Sequence, residues 1–228
     1  MKNNEQIQQD VEDAIKWEPL LHAAEIGVTV KDGVVTLMGT VDNYLKRIEA
    51  EKAAKKVEGV KAVVEKIEVR LPHAAGKTDQ EIAEQLLSAF KNNWSIPDLK
   101  VKIKVENGWV YLDGTFSWDY QREAVKRVLY YIQGVKGVIN NITIESEVHD
   151  ELEEKLIKNA LKRHWSINGD TITVDVSGTT VTLAGFVTSL YQKEEAGRIT
   201  WKTPGVWSVI NNLKVEYEHA FQKNKDRM

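Results

Sequence analysis

The chain has 228 residues, no cysteine, and a formal net charge of −3 from 31 Lys+Arg against 34 Asp+Glu. The lack of thiols excludes disulfides, zinc–thiolate sites, iron–sulfur clusters and cysteine nucleophiles. The nearly balanced charge excludes a global basic field that would attract nucleic acid or anionic lipid, although local patches stay open. The 42% of hydrophobic residues is typical of a globular protein.

The sequence also bears on targeting. The N-terminus has no apolar run of about 7–15 residues, as a secretory signal requires. No stretch reaches the roughly 18 consecutive apolar residues of a membrane span. We therefore expect a cytoplasmic location for the chain as written, or a periplasmic one if a signal sequence has been removed from it.

One sequence plan occurs three times along the chain. In each copy a glycine ends a valine-rich segment, and a glycine-valine pair follows 20 positions after that glycine. The segments are 30–39, 105–114 and 176–185, and the pairs are Gly59-Val60, Gly134-Val135 and Gly205-Val206. This periodicity predicts three tandem domains. Their predicted bounds are 4–71, 78–146 and 149–217, with a polar C-terminal tail at 218–228.

Each copy opens with a pattern that predicts an amphipathic helix. The apolar stripes are Ile7, Val11, Ala14 and Ile15 in the first copy, Ile82, Leu86, Leu87 and Phe90 in the second, and Leu152, Leu156, Ile157 and Leu161 in the third. Pro19 is expected to stop the first helix. Thr78 and Glu81 predict a capping box at the start of the second helix. Asp150 is the expected N-cap of the third.

Two strands with alternating apolar and polar residues follow in each copy, which predicts one buried face and one open face. Asp32-Gly33 and Asn107-Gly108 predict two-residue hairpin turns, because glycine accepts a positive φ. The third copy has Ser177-Gly178-Thr179 at this point. Its glycine comes one position early, so we expect a different turn there.

A second helix and a third strand complete each copy. We expect N-caps at Asp42, Ser117 and Thr188. Gly59, Gly134 and Gly205 are predicted to be left-handed C′ residues that end these helices. The last strands are predicted at 63–69, 138–144 and 209–215. The order α-β-β-α-β predicts an α+β fold of three tandem repeats, each a small three-stranded mixed sheet with two helices on one face.

These features resemble the BON domain, a transport-associated family named for bacterial osmotically inducible and nodulation proteins. The matching segments are 33–41 and 59–60 in the first copy, 108–114, 134–135 and 140–141 in the second, and 181–185, 205–206 and 211–212 in the third. The resemblance implies the α-β-β-α-β fold, a link to osmotic and envelope stress, and no catalytic activity. It also implies binding to phospholipid membranes or to other envelope partners.

No motif in the sequence indicates catalysis or metal binding. The five histidines lack metal-ligand spacing, and no nucleophile elbow, P-loop or dinucleotide fingerprint is present. We expect a non-enzymatic binding or scaffolding protein without a cofactor or a metal. Its expected partner is an anionic phospholipid surface or an envelope or stress protein. The alternative is a protein–protein adaptor that uses sheet faces or clefts between repeats.

Tryptophan is the most informative residue type for binding. Trp94 and Trp165 occupy equivalent positions at the end of the first helix in two copies, where the first copy has Pro19. Packing of helix ends onto the sheet or the next repeat is the commoner role for such residues. The alternative is an interfacial membrane anchor, in which the indole lies at headgroup depth. Nearby candidates for that contact are Lys162, Arg163 and Trp118, the two cations adding electrostatic attraction.

A second candidate patch lies on the sheet of the second copy. Strand parity places Lys102, Lys104, Trp109 and Tyr111 together on the face opposite the core. Aromatic rings beside lysines could stack on single-stranded nucleic acid. Docking between repeats is the favoured interpretation, because the chain lacks the four-stranded sheet and aromatic motif of an RNA-recognition module.

Overall fold

The computed structural model describes residues 2–21, 26–71, 76–96, 101–145 and 154–216. The first repeat contains α1 (Asn4–Lys16), β1 (Ile26–Lys31), β2 (Val34–Val41), α2 (Tyr44–Lys56) and β3 (Ala62–Val69). The second contains α3 (Asp79–Lys91), β4 (Val101–Glu106), β5 (Trp109–Phe116), α4 (Asp119–Leu129) and β6 (Gly137–Ile144). The third contains α5 (Glu154–Arg163), a 3₁₀ turn (Gly169–Thr171), β7 (Ile172–Ser177), β8 (Thr180–Val187), α6 (Leu190–Trp201), β9 (Ser208–Asn211) and β10 (Lys214–Val215).

The predicted α+β fold is confirmed, since the order α-β-β-α-β occurs three times. The second strand of each repeat is central, with sheet orders β1-β2-β3 and β4-β5-β6 and with β8 central in the third repeat. In the second repeat β4 pairs with β5 in antiparallel fashion and β5 pairs with β6 in parallel. The third repeat has the same arrangement, with β9 and β10 both parallel to β8.

The last strand of the third repeat is interrupted, where the sequence predicts one strand over 209–215. Both pieces keep one register, because β8 pairs Thr180 with Ser208 before the break and Phe186 with Lys214 after it. At the break the Asn211 side chain accepts a hydrogen bond from the Leu213 backbone N–H at 3.3 Å. Leu213 is nevertheless buried. The interruption is therefore a local kink that leaves the strand path unchanged.

The first helices follow the predicted stripes, except that Ala14 is only half-buried and two leucines are exposed. The buried members are Ile7, Val11, Ile15, Ile82, Leu86, Phe90, Ile157 and Leu161. Leu87 and Leu156 are instead 59% and 55% exposed. The capping box of Thr78 and Glu81 is confirmed, and α1 ends before Pro19 as predicted. Asp150, Leu152 and the tail at 218–228 lie outside the described residues.

The predicted N-caps of the second helices are wrong by one residue. The Asn43 side chain accepts from the Lys46 backbone N–H at 2.9 Å, and the Ser189 hydroxyl accepts from the Gln192 backbone N–H at 3.2 Å. Helix α4 has Trp118 at its N-cap, which offers no side-chain oxygen. The neighbouring residues that the sequence favoured, Asp42, Ser117 and Thr188, precede these caps. Where two polar residues are adjacent at a helix start, the sequence does not show which side chain accepts from the backbone N–H groups of the first turn.

The glycines after the second helices are also placed differently from the prediction. Gly59, Gly134 and Gly205 do have positive φ angles of 91°, 95° and 84°. However, they lie three to five residues beyond the last helical residue, so they are turn residues and not C′ residues. A further turn, closed by hydrogen bonds such as Val57 N–H to the Ala54 carbonyl at 3.2 Å, separates each helix from its glycine.

The hairpin turn of the second repeat joins three segments of the chain. Asn107 and Gly108 have φ angles of 53° and 81°, which confirms the predicted turn. The Asp79 carboxylate, at the start of α3, accepts from the backbone N–H groups of Asn107 at 2.7 Å and Gly108 at 2.8 Å. The Gly108 carbonyl accepts from the Lys136 backbone N–H, just before β6, at 2.8 Å. The turn therefore fixes the first helix and the last strand together.

The other two hairpins reproduce part of this arrangement. In the first repeat the Gly33 carbonyl accepts from the Lys61 backbone N–H at 2.8 Å. In the third the turn consists of Gly178 and Thr179, and the Thr179 carbonyl accepts from the Trp207 backbone N–H at 2.9 Å. The expected difference of this third turn is confirmed.

The chain divides into two compact units that do not follow the repeats. One contains residues within 1–38, 50–66 and 148–228, and the other contains residues within 39–49 and 67–147. In the second unit Arg47 of α2 donates to the Lys136 carbonyl at 3.0 Å, and its guanidinium lies 5.8 Å from the Trp109 ring centroid. In the first unit Lys55 of α2 pairs with Glu194 at 2.5 Å. The repeat boundaries 4–71, 78–146 and 149–217 stay a prediction.

Three glycine substitutions separate backbone strain from steric conflict. A Cβ at Gly108 would lie 2.9 Å from the Gly134 carbonyl oxygen, whereas Gly178 has a positive φ but open space. We expect Gly178→Ala to destabilise by about 1–2 kcal/mol from left-handed strain alone. We expect Gly108→Ala to destabilise more, because the clash adds to the strain.

Gly76→Ala is the control, since Gly76 has neither a positive φ nor a described atom within 4 Å of its Cβ position. Thermal unfolding should order the melting temperatures Gly76→Ala above Gly178→Ala above Gly108→Ala, with about 2–4 °C per kcal/mol. Equal melting temperatures for Gly108→Ala and Gly178→Ala would contradict a close contact between the hairpin and the turn at Gly134.

Candidate functional site

Three tryptophans are almost fully exposed, one at the end of each first helix. Trp17, Trp94 and Trp165 are 86%, 90% and 89% exposed, and they follow α1, α3 and α5 within three residues. The other tryptophans are at least half-buried or, for Trp109, 37% exposed. Tryptophan is enriched at interfaces, because it combines a large apolar ring with a polar N–H.

A tight turn beside each tryptophan ends in a buried aliphatic residue. The turns are closed by backbone hydrogen bonds to the Glu18 carbonyl from Leu21 at 3.0 Å, to the Asn93 carbonyl from Ile96 at 2.9 Å, and to the His164 carbonyl from Ile167 at 3.1 Å. Leu21, Ile96 and Ile167 are each 6–7% exposed. We call these segments the first tip (17–21), the second tip (93–96) and the third tip (164–167). Each tip is anchored by its aliphatic residue while its tryptophan faces solvent.

The interpretation of Trp94 and Trp165 as core residues is therefore wrong. Ile96 and Ile167 fill the positions against the core that the indoles were expected to fill. Trp17 was missed by the sequence analysis, because the repeat spacing aligns Pro19 with Trp94. Its position at the C-cap of α1 is the signal that could have identified it.

Two exposed side chains of α3 precede the second tip. Leu87 and Lys91 are four residues apart, so they lie on one face of the helix, and Trp94 follows in the turn after the helix ends. Lys91 is exposed and makes no ion pair with any described residue. In contrast, Lys16 pairs with Asp13 at 3.6 Å and Lys162 pairs with Asp170 at 2.9 Å. The end of α3 and the second tip thus combine two exposed apolar side chains with a lysine that has no ion pair among the described residues.

At the third tip His164 lies next to the ion pair of Glu195 and Arg198, and we call these three residues the Glu195 cluster. His164 Nε2 lies 3.0 Å from a Glu195 carboxylate oxygen, and its Nδ1 lies 3.0 Å from the Ser166 hydroxyl. Arg198 donates to both oxygens of Glu195 from its Nε and guanidinium nitrogens. The hydrogen bonds from Arg198 hold the pKa of the Glu195 carboxyl below its ordinary value, with the charges of Arg198 and His164 acting in the same direction. Arg163, the residue before His164, is exposed.

The sheet of the second repeat brings together the other predicted residues. Lys104 is opposite Tyr111 in the β4–β5 register, its ammonium 5.3 Å from the ring centroid, and Lys102 is opposite Asp113. Lys104 also pairs with Glu106 at 3.0 Å. The guanidinium of Arg47 lies over Trp109 on the same face. The predicted shared face is present, but its charges are balanced and one of its rings contacts another repeat.

Trp118 stands apart from the tips in sequence and structure. It is half-buried at the N-cap of α4, where its backbone N–H donates to the Gln121 side chain at 3.1 Å. This bond is made by the backbone of Trp118 and does not involve its indole. Exposed surface is what an interfacial anchor needs, and Trp118 offers less of it than the three tip tryptophans.

Two further features concern chemistry and membranes. Within the described ranges, no three His, Asp or Glu side chains come together in a way that could hold a metal ion. No helix in those ranges is both long enough and apolar enough to span a bilayer. The exposed tips are the strongest candidate for a functional site because each carries an indole that is 86–90% exposed.

Stability measurements distinguish a displayed tryptophan from its anchor. We expect Trp94→Ala to change the free energy of unfolding by less than about 0.5 kcal/mol, as exposed substitutions do. Ile96→Ala should cost about 2–5 kcal/mol, because it removes a buried aliphatic side chain and leaves a cavity. Denaturant unfolding of both variants provides the comparison. A loss for Trp94→Ala as large as that for Ile96→Ala would show that the indole is buried in solution.

The Glu195 cluster predicts that the free energy of unfolding depends on pH. Because the pKa of Glu195 is lowered in the folded chain, its contribution is present above the unfolded pKa and is lost as the pH falls through the folded value. Glu195→Gln should therefore cost about 1–2 kcal/mol at neutral pH, as loss of charge-assisted hydrogen bonds does. The difference from the unmodified chain should shrink as the pH falls below about 4. A difference that is constant from neutral to acidic pH would contradict an ionised Glu195.

Comparison with known proteins identifies the family of this chain. The BON domain model matches residues 3–70, 78–146 and 149–217. Osmotically-inducible protein Y of Escherichia coli (strain K12) is 32% identical over 130 residues, which cover 54% of this chain and 63% of that protein. An uncharacterized protein in the gshII 5′ region of Anaplasma centrale is 32% identical over 127 residues, which cover 54% of this chain and 83% of that protein.

Among solved structures, CdsD, a structural protein of the type III secretion system of Chlamydia trachomatis, aligns over 95% of this chain and 96% of that chain, with 16% identity and a TM-score of 0.24. A score this low does not establish a shared fold. This chain spans less than two thirds of the length of osmotically-inducible protein Y. The BON domain model, however, matches nearly the whole chain in three copies, which confirms the resemblance found in the sequence. The chain therefore belongs to the BON domain family.

Proposed function

We propose that this chain is a non-enzymatic binding protein of osmotic stress adaptation that attaches to anionic phospholipid surfaces through its tips. The observation that supports this most is the 86–90% exposure of Trp17, Trp94 and Trp165, one at the end of each first helix. The name of the relative osmotically-inducible protein Y supports the stress context.

An exposed indole suits the membrane interface because it has an apolar body and a polar N–H. Tryptophan is enriched at the headgroup level for this reason. In a globular protein most of the tryptophan surface is usually buried, so three indoles left in water need a partner to offset their exposure. A bilayer interface accepts such side chains one at a time and requires no shaped pocket.

The expected strength of a single tip is low. A fully buried aromatic side chain removes about 150–250 Å² from water, which is worth about 4–6 kcal/mol at about 25 cal/mol per Å². Partial insertion gives less, and about 4 kcal/mol corresponds to only millimolar affinity. A nearby lysine adds about 1 kcal/mol at an anionic surface. Attachment should therefore be weak and should depend on anionic lipid.

The second tip should contribute most to attachment. Leu87 and Trp94 are both exposed there, and Lys91 makes no ion pair among the described residues. At the first and third tips an acidic side chain already neutralises the corresponding lysine. The difference between the tips supplies an internal ranking that can be measured.

A protein–protein adaptor is the second candidate, and the contact of Arg47 with Trp109 favours it. This contact shows that the open sheet face of a repeat can accept a helix from a different repeat. An envelope or stress protein could use another sheet face in the same way. Single-stranded nucleic acid is disfavoured on the second sheet, because Glu106 and Asp113 offset Lys104 and Lys102 there. The cytoplasmic or periplasmic location stays a prediction, which cell fractionation would decide.

Vesicle co-sedimentation tests the membrane proposal. The chain should bind vesicles of equal parts phosphatidylglycerol and phosphatidylcholine, and should not bind phosphatidylcholine alone. Binding should fall with added salt, since the Debye length is about 10 Å at 0.1 M and shorter above it. Trp94→Ala and Lys91→Ala should each weaken binding about fivefold or more, corresponding to about 1 kcal/mol or more.

The matched control is Tyr131→Ala, which removes an aromatic side chain that is 75% exposed but follows α4 and belongs to no tip. It should leave vesicle binding unchanged. Loss of binding in Tyr131→Ala equal to that in Trp94→Ala would indicate general surface hydrophobicity and not a tip. No binding of the unmodified chain to anionic vesicles at low salt would reject the membrane proposal and leave the adaptor.

A further inference from the structure

A cleft lies beside the hairpin turn of the second repeat, within the unit of residues 39–49 and 67–147. It has a volume of about 640 Å³ and contains no residue of the three tips. Its walls are the end of β3 and the residues after it (68–71), the start of α3 and the residues before it (76–79), the hairpin turn (107–108), and residues 134 and 136 before β6. Sites for small ligands ordinarily have volumes of about 300–1,000 Å³. What this cleft can bind therefore depends on the charges that line it.

Five charged side chains line the cleft, and three of them are already matched. The Asp79 carboxylate accepts from the two backbone N–H groups of the hairpin turn at 2.7 and 2.8 Å. Arg70 pairs with Glu68 at 2.9 Å. The side chains of Lys77 and Lys136 make no ion pair and no hydrogen bond with any residue that the structure describes. The cleft therefore presents two ammonium groups without a counter-charge.

The stems of the two lysines pack against two neighbouring glycines. A Cβ at Gly134 would lie 3.2 Å from Cβ of Lys77, and a Cβ at Gly108 would lie 3.1 Å from Cγ of Lys136. The same position at Gly108 is only 2.9 Å from the Gly134 carbonyl oxygen, so the two glycines are in close contact. Both lysines are half-buried. Their stems therefore lose part of their freedom before a ligand arrives, which lowers the entropy cost of binding.

The corresponding lysine of the first repeat is neutralised within its own repeat. Lys2 is the counterpart of Lys77, 75 positions earlier, and its ammonium lies 2.7 Å from a carboxylate oxygen of Asp10. The counterpart of Asp10 in the second repeat is Gln85, which carries no charge. The third repeat has Trp207 at the position of the second lysine. The unmatched pair of lysines is therefore a feature of the second repeat.

The acidic side chain that follows Lys77 on α3 is engaged elsewhere. Glu81 accepts from the backbone N–H and from the hydroxyl of Thr78, each at 2.8 Å. These hydrogen bonds are the main cause that lowers the pKa of the Glu81 carboxyl, and the charge of Lys77 is a smaller cause. Glu81 therefore offsets Lys77 only from beyond the distance of an ion pair.

From the cleft and its two unmatched lysines we propose that the second repeat has a binding site for a phosphate monoester, a small molecule with two negative charges on one phosphate group. Lys77 and Lys136 contact the phosphate oxygens, since lysine binds phosphate as a point charge. The rest of the molecule occupies the remainder of the cleft. Two ammonium groups match a dianion better than the single charge of a phosphodiester. The site therefore distinguishes such a molecule from the headgroup of phosphatidylglycerol, and it is independent of the tips.

Titration of the full chain with glycerol 3-phosphate at low salt and about pH 7.5 tests this proposal. The backbone amide resonances of Gly108 and Gly134 should shift in a saturable manner. Dimethyl phosphate, a phosphodiester with one charge, should bind about fivefold more weakly, because one charge at about 4 Å in water is worth about that factor. The affinity for glycerol 3-phosphate should also rise from about pH 5 to 7.5, as the ligand loses its second proton near pH 6. The affinity for dimethyl phosphate should stay constant.

Lys77→Gln and Lys136→Gln should each weaken the binding of glycerol 3-phosphate about fivefold. The matched control is Lys61→Gln, which changes the counterpart of Lys136 in the first repeat, an exposed lysine outside the cleft. It should leave the affinity unchanged. The proposal is overturned if neither glycine resonance shifts in a saturable manner, if the two phosphates bind equally, or if Lys61→Gln weakens binding as much as Lys136→Gln does.

Vesicle co-sedimentation separates this site from attachment through the tips. Lys77→Gln/Lys136→Gln should bind vesicles of equal parts phosphatidylglycerol and phosphatidylcholine as the unmodified chain does. If this double variant loses vesicle binding and glycerol 3-phosphate has no saturable effect on the unmodified chain, the two lysines serve a lipid surface and the proposed site is overturned. If glycerol 3-phosphate binds as expected but the unmodified chain binds no vesicles, the site stands and the membrane proposal fails.

Discussion

The hairpin turn at Asn107-Gly108 is the constraint on which the second repeat depends. Its two N–H groups bind the carboxylate of Asp79 at the start of α3, and the Gly108 carbonyl binds the chain just before β6. Two residues thus fix the position of the first helix and the register of the parallel strand. Asn107 and Gly108 both have positive φ angles, as a two-residue hairpin turn of this type requires, and Asp32 and Gly33 have the same pair of angles in the first repeat.

The second tip lies at the other end of the helix whose start this turn fixes. Helix α3 has 13 residues, and at 1.5 Å per residue it places Trp94 about 20 Å from its N-terminus. Ile82, Leu86 and Phe90 hold the helix on the sheet, and Ile96 holds the turn that follows it. The indole is therefore displayed from a rigid support. A displayed side chain on a fixed element loses little further freedom when it binds, so its contact is less opposed by entropy.

The sequence predicts the repeats, the strands and most of the core, because turn glycines and alternating apolar residues act locally. It does not predict the exposure of Trp94 or Trp165, because burial depends on which of two nearby apolar residues fills the space against the sheet. Ile96 and Ile167 fill it, two positions after each indole. Trp17 was missed because the repeat aligns positions in sequence, whereas exposure follows the end of the helix. The Glu195 cluster brings His164 together with residues about 30 positions later in the chain, and no sequence motif predicts that contact.

The three tips share a backbone arrangement but differ in chemistry, and this difference bears on how the protein works. Core positions in each repeat must satisfy the same packing, so their residues vary little in kind. The tip side chains face water and contribute little to folding, so they are free to diverge. The second tip follows an exposed Leu87 and Lys91, whereas the third has an imidazole next to its indole. Three copies of one fold thus present three exposed indoles in different chemical surroundings, so that a partner would meet a different set of side chains at each tip.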